Sequence, residues 1–166
     1  GCYSANSKIK KLNREAENEL IYAEKIDVLA SVLTKSATKS AEIEKAWERV
    51  MFNQFHDILA GCSIKPAYDD AYAGFGYAKE AAMEICTFAA ERISWRINTT
   101  KFFDSELSEL RGRLWTRSGE GSPMVVFNPH SFPVKDYASF GEHWVSGVVD
   151  ENDNDVEFQM IRAPYT

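Results

Sequence analysis

Cysteine is scarce: only Cys2, Cys62 and Cys86 occur in 166 residues, and no two form a CxxC pair. An odd count without repeated spacing excludes a disulfide framework, and no thiolate zinc site can be read from it. The three read as reduced thiols in a reducing compartment. No apolar run reaches the ~18 residues that a membrane helix needs, so no membrane partner is expected. The N-terminus has neither an initiator Met nor the shape of a signal peptide, and the chain is expected to begin inside a longer protein. Positive charge is also short. Nineteen Lys and Arg stand against 25 Asp and Glu, a net charge of −6. A nucleic-acid surface needs a basic stripe, so no nucleic-acid partner is expected. The small group Lys8, Lys10, Lys11 and Arg14 reads as a solvated helix face. Catalytic signatures are missing too: no GxSxG, no P-loop, no GxGxxG and no HExxH. The three histidines, His56, His130 and His143, share no helical spacing.

What is present is globular composition, 45% hydrophobic and 13% aromatic. Lys8 to Leu33 contains neither Gly nor Pro. Ile9, Leu12, Ala16, Leu20, Ala23, Ile26, Ala30 and Leu33 recur at helical spacing, and Ile21, Val28, Leu29 and Val32 widen the stripe. This predicts one helix of about 25 residues. A polar run, residues 34–40, then joins it to a second helix that carries Ile43, Ala46, Trp47, Val50, Met51 and Gln54/Phe55 on one face. Ser40 is a candidate N-cap with Glu42 in the first turn. Residues 57–63 read as a turn in which Gly61 takes a left-handed conformation. A third helix follows, with Pro66 in its first turn and an apolar stripe from Ile64 to Ile97. Three such faces bury one another in an antiparallel three-helix bundle, residues 1–98.

Residues 99–122 read as a linker with a short helix opening at Asp104. Beyond it, 124–127, 132–138, 144–149 and 156–161 read as short strands, with a turn at 150–155. Four strands are too few to close a sandwich. The expected fold is therefore mainly α, a three-helix bundle followed by the first strands of an incomplete β-sandwich domain over 123–166.

One polar cluster stands out where the second helix ends: Asn53, Gln54, His56 and Asp57. His56 lies one residue past Phe55, turned by about 100° from the apolar stripe. Two readings fit these residues, and for a lone helix histidine beside an aspartate the structural one is the commoner. In one, Asn53 and Gln54 bond the loop, and His56 and Asp57 cap a helix end. In the other, His56 and Asp57 point out of the bundle, where neutral imidazole can bind a metal and a carboxylate can accept hydrogen bonds from hydroxyls.

The string from Ala46 to Ile64, centred on Asn53-Gln54-Phe55-His56-Asp57-Ile58-Leu59-Ala60-Gly61, resembles the central helical domain of glycoside hydrolase family 38 α-mannosidases. Gly1 to Glu17 looks like the entry to that domain, and Val125-Val126-Phe127-Asn128-Pro129 like the first strand of the family's C-terminal β domain. The resemblance implies a retaining, metal-dependent, cytoplasmic α-mannosidase that acts on α-mannosides. It implies zinc or another divalent metal, with His56 as one ligand and Asp57 as a contact to sugar hydroxyls. The nucleophile, the acid/base and the remaining ligands would belong to an N-terminal catalytic domain outside this chain. The chain alone is then expected to be inactive and to hold no metal tightly. Ala60 departs from the family pattern, where proline is common. The competing expectation is a non-catalytic helical module with a structural or protein-interaction role.

Overall fold

A computed structural model describes residues 4–99, 123–141 and 145–161. Four helices are present among them: α1 (Ser7–Thr34), α2 (Ser40–Asn53), α3 (His56–Leu59) and α4 (Lys65–Ser94). The chain divides into two compact units, Gly1–Pro133 and Val134–Thr166. The helices all lie in the first.

A seven-residue repeat sets the packing. In α1 it takes in Ile9, Ala16, Ala23 and Ala30, with Asn13, Leu20 and Asp27 between them; only Ile26 is buried outside it. In α4 it takes in Tyr68, Phe75, Ala82 and Ala89, with Ala71, Ala78 and Ile85 between them; only Ile93 is buried outside it. Residues repeating at 3.5 keep one seam facing a partner helix. The many alanines let the two backbones approach, and fully buried Phe75 fills the space between. α1 and α4 run parallel, since Glu15 meets Lys79 at 2.6 Å and Asp27 meets Arg92 at 2.8 Å. The hydrogen bond from Lys79 lowers the pKa of Glu15, and that bond in turn raises the pKa of Lys79. α2 returns between them and adds Ile43, Ala46 and Val50 to the core. A smaller apolar cluster, Ile26, Ala30, Ala89 and Ile93, continues the core and receives Phe127.

Charged residues fall within the seam. Asp27 is 1% exposed. Its Oδ1 takes a hydrogen bond from Arg92 Nη2, and its Oδ2 one of 2.6 Å from the backbone N–H of Lys39, which opens α2. Arg92 also donates from Nη1 to Ser36 Oγ at 2.6 Å. One buried ion pair thus joins both long helices to the α1–α2 connection. It replaces the expected cap: Lys39, not Ser40, occupies the N-cap position.

The apolar stripe is narrower than its spacing suggests. Ile21, Val28, Leu29, Val32 and Leu33 are exposed, as are Met51 on α2, Phe55 just past it, and Ile64 and Ile97 beside α4. A heptad seam covers a narrow strip, and these positions face away from it.

The expected strands are a second correction. Among the described residues no strand forms, and 124–127, 132–138 and 156–161 carry no ladder. Two-residue periodicity supplies a face but not a neighbour, and an extended segment becomes a strand only when its N–H and C=O groups find one. The 150–155 turn does form. Val149 and Asp155 make one isolated antiparallel bridge. Asp150 accepts the N–H groups of Asn152 and Asn154, and its bonds to Asn154 lower its pKa. The expected helix at Asp104, and also Cys2, Trp144 and His143, lie outside the described residues.

Candidate functional site

The polar cluster sits where α2 stops. Phe55 leaves helical geometry at φ −51°, ψ 139°, so α2 ends at Asn53 and His56 begins the four-residue α3. His56 therefore does not cap the C-terminus of the second helix, and the residues expected to form only a turn contain a helical turn of their own.

The break sorts the motif into two directions. Asn53 is 4% exposed and donates from Nδ2 to Arg49 O at 2.9 Å. Its amide lies against α4 at Gly74, where an added Cβ would sit 2.5 Å from Nδ2. Gln54 turns toward α1 and donates from Nε2 to Asn13 Oδ1 at 3.1 Å and to Glu17 Oε1 at 2.8 Å. The other oxygen of Glu17 lies 2.9 Å from Arg14 Nη1, an ion pair without a hydrogen bond. Both amides thus bond helices, not the loop that the structural reading assigned to them.

His56 and Asp57 turn outward, with side chains 78% and 54% exposed. His56 Nε2 lies 3.5 Å from Asp57 Oδ1, and its ring packs on Phe55 with centroids 4.2 Å apart. Neither side chain caps a helix. The base beneath them is tightly bonded. Ile58 N and Leu59 N both donate to Phe55 O, at 3.0 and 2.9 Å, and Ala60 N donates to His56 O at 3.3 Å. Ala60 has φ −66°, an angle proline would also take, but alanine keeps the N–H that makes this bond. Tyr68, a core residue of α4, reaches up to accept Ser63 N–H at 3.1 Å, with Asp57 O and Ile58 O both 3.4 Å from its hydroxyl. Lys10 ties the turn to the N-terminal loop by donating to Ala5 O at 2.7 Å and Ala60 O at 3.2 Å. Part of the basic group read as a solvated face is therefore structural.

Gly61 closes the turn at φ +96°. A Cβ there would lie 2.4 Å from Ala5 O, a backbone atom. Gly61→Ala is expected to cost about 1–3 kcal/mol, from left-handed strain and the displaced Ala5 carbonyl. Urea unfolding followed by circular dichroism measures it, and a midpoint equal to the parent's would show that the turn yields freely.

A cavity of about 590 Å³ opens elsewhere, between α1 and α2, lined by Val28, Ile43, Trp47 and Met51 among others; neither His56 nor Asp57 lines it. Among the described residues, no three His, Cys, Asp or Glu side chains gather to hold a metal. The site offers one imidazole and one carboxylate on an exposed tip.

Sequence reasoning missed Tyr68 and Lys10 as supports of this tip. Tyr68 looks like any apolar-stripe residue, and only its hydroxyl, placed at the helix start, hints at a polar duty.

Residues 1–93 match the family described as "Alpha mannosidase middle domain". The chain is 30% identical over 134 residues to "Alpha-mannosidase" of Saccharomyces cerevisiae, covering 77% of this chain and 12% of that protein. It is 35% identical over 74 residues to "Alpha-mannosidase 2C1" of Mus musculus, covering 43% of this chain and 7% of that protein. "Alpha-mannosidase G" of Dictyostelium discoideum is 34% identical over 70 residues, covering 42% of this chain and 6% of its own length. The chain thus spans about a tenth of the relatives it matches. No solved structure matches it.

Proposed function

Because the chain belongs to the alpha-mannosidase middle-domain family, we propose that it is one part of a metal-dependent, retaining α-mannosidase. In this reading His56 gives one ligand to a divalent metal, zinc first, and Asp57 accepts hydrogen bonds from hydroxyls of an α-mannoside. The observation that carries the reading is the division within one motif. Asn53 and Gln54 are committed to the bundle, while His56 and Asp57 are exposed on a turn bonded from below.

The donor set fits one corner of a zinc site. Catalytic zinc takes three protein ligands and keeps one position open. The chain supplies a nitrogen ligand, and the others, with nucleophile and acid/base, come from another part of the full-length protein. A bound metal supplies Lewis-acid polarisation and a template for sugar oxygens. The chain's own residues hold and orient. His56 in its neutral form offers a ring nitrogen, and the Phe55 ring against it limits where the imidazole can turn. The Asp57 carboxylate, acceptor only when ionised, suits paired hydroxyls of a sugar. Retention calls for two further carboxylates at about 5–5.5 Å from each other, and those belong to the other part of the site. Alone, the chain neither hydrolyses α-mannosides nor holds metal in stoichiometric amount.

No helix among the described residues is long and apolar enough to cross a membrane. Neither Cys62 nor Cys86 is in a disulfide, and burial pushes the Cys86 thiol up to about 11, leaving it unreactive. Both suit a reducing, cytoplasmic setting.

The test uses the full-length protein and p-nitrophenyl α-mannoside. Chelation should abolish hydrolysis and added zinc restore it. Asp57→Asn should raise KM by about 10- to 100-fold, the loss of a charged hydrogen bond of ~1.5–3 kcal/mol, with bound metal unchanged. Hydrolysis indifferent to chelators, or a KM untouched in Asp57→Asn, would leave the chain as a non-catalytic helical module.

A further inference from the structure

We infer that Gln54 is a positioning residue for His56, a latch that holds the α2–α3 junction against α1. The inference rests on the reading of His56 as a metal ligand.

His56 has little of its own to hold it. Its side chain is 78% exposed, and its named neighbours, Phe55 and Asp57, adjoin it in sequence. Its direction is inherited from the backbone of 54–57. That backbone changes course within two residues. Gln54 N donates to Met51 O at 3.1 Å and Phe55 N to Phe52 O at 3.4 Å, so the last turn of α2 tightens. Phe55 then becomes extended at ψ 139°. A junction of this kind can swing unless a side chain fixes it. The Phe55 side chain is 54% exposed and cannot do so by burial.

Gln54 is the side chain at the pivot that reaches another element. Its amide crosses to two oxygens of α1, Asn13 Oδ1 and Glu17 Oε1, 41 and 37 residues away in sequence. Asn13 is 7% exposed and occupies a position in the heptad seam, so it is itself immobile. Glu17 has its other oxygen 2.9 Å from Arg14 Nη1, an ion pair without a hydrogen bond. A donor shared between a carboxylate and a seam amide is strong and directional, because the charged acceptor roughly doubles its strength. A leucine of similar size would fill the place without the bonds, and the two α1 oxygens would lose their donor. Groups hydrogen-bonded to a metal ligand are worth about 10- to 100-fold in metal affinity, and a residue that acts through the backbone takes the lower end of that range.

The experiment compares Gln54→Leu, His56→Ala and the exchange Gln54→Glu with Glu17→Gln. The exchange restores an amide–carboxylate bond with donor and acceptor interchanged. Zinc affinity is measured on the full-length protein by competition with a chromophoric chelator, and the cobalt-substituted protein gives a visible spectrum that reports ligand geometry. Amide exchange of Ile58, Leu59 and Ala60 is followed in the chain itself. Gln54→Leu should lose about 10-fold in zinc affinity, alter the cobalt spectrum and speed exchange at 58–60. The exchange variant should recover most of each. Faster exchange with unchanged zinc affinity and cobalt spectrum would make Gln54 merely structural and overturn the inference. So would unchanged values throughout, or failure of the exchange variant to recover. If His56→Ala keeps its zinc, the ligand reading itself fails and the positioning role falls with it. That result is told apart because it appears in His56→Ala whatever Gln54→Leu does.

Discussion

Replacing His56 with alanine in the full-length protein should lower α-mannoside hydrolysis by at least ~100-fold and remove most of the bound zinc, while leaving the bundle's stability within about 0.5 kcal/mol. The two halves of this expectation come from different facts. The loss follows from the proposed role: taking away a ligand costs at least what disturbing its support costs. The unchanged stability follows from the structure. The imidazole is mostly in water, packs only on the half-exposed Phe55 ring, and caps no helix. Its approach to Asp57, 3.5 Å between exposed groups, is the kind of surface pair worth little. A fall in activity together with a fall in unfolding midpoint would instead assign His56 to the scaffold. Full activity with full zinc content would take it out of the site.

Asp27→Ala should do the reverse, destabilising the bundle by about 3 kcal/mol although Asp27 is remote in sequence from the motif. Removing the carboxylate strands two donors at once, the Arg92 guanidinium and the Lys39 backbone N–H. Losing one partner of a buried pair generally costs ~3–5 kcal/mol. The lower end applies because the Arg92 side chain is 26% exposed and regains some water. Arg92→Leu should cost more, since Asp27 at 1% exposure cannot do the same. Replacing both by leucine should recover much of the loss, as hydrophobic pairs often equal buried ion pairs. Urea unfolding of the three variants measures this, and a single-variant cost below about 1 kcal/mol would mean that the α1–α2 connection relaxes around the gap.

The contrast bears on how the site is built. His56 is local and exposed, packed on one neighbouring ring, whereas the turn that carries it is supported from α1 and α4: Gln54 on α1 oxygens, Asn53 against Gly74 of α4, and Tyr68 of α4 under the turn.

The three long helices, the left-handed glycine at 61 and the polar cluster at 53–57 could all be read from the order of residues. Each is a local matter. Helical spacing of apolar residues, the need for Gly where φ is positive, and the absence of Gly and Pro from 8–33 act within a few residues of one another. Tertiary structure decided what local order cannot hold. The helical stripes looked broader than the seam because spacing tells which residues share a face, not how wide a neighbour covers it. Asp27 and Arg92, 65 residues apart, became partners only through the register of α1 on α4. The segments expected as strands after residue 123 carry the alternation, but among the described residues they meet only at the Val149–Asp155 bridge and the bond from Val156 N to Val148 O, since a ladder needs two segments in register and alternation describes one. At the motif, the residues were legible but their directions were not. A single extended residue, Phe55, sends Asn53 and Gln54 inward and His56 and Asp57 to solvent, and that backbone turn is stabilised by bonds to α1 and α4 that lie far away in the chain.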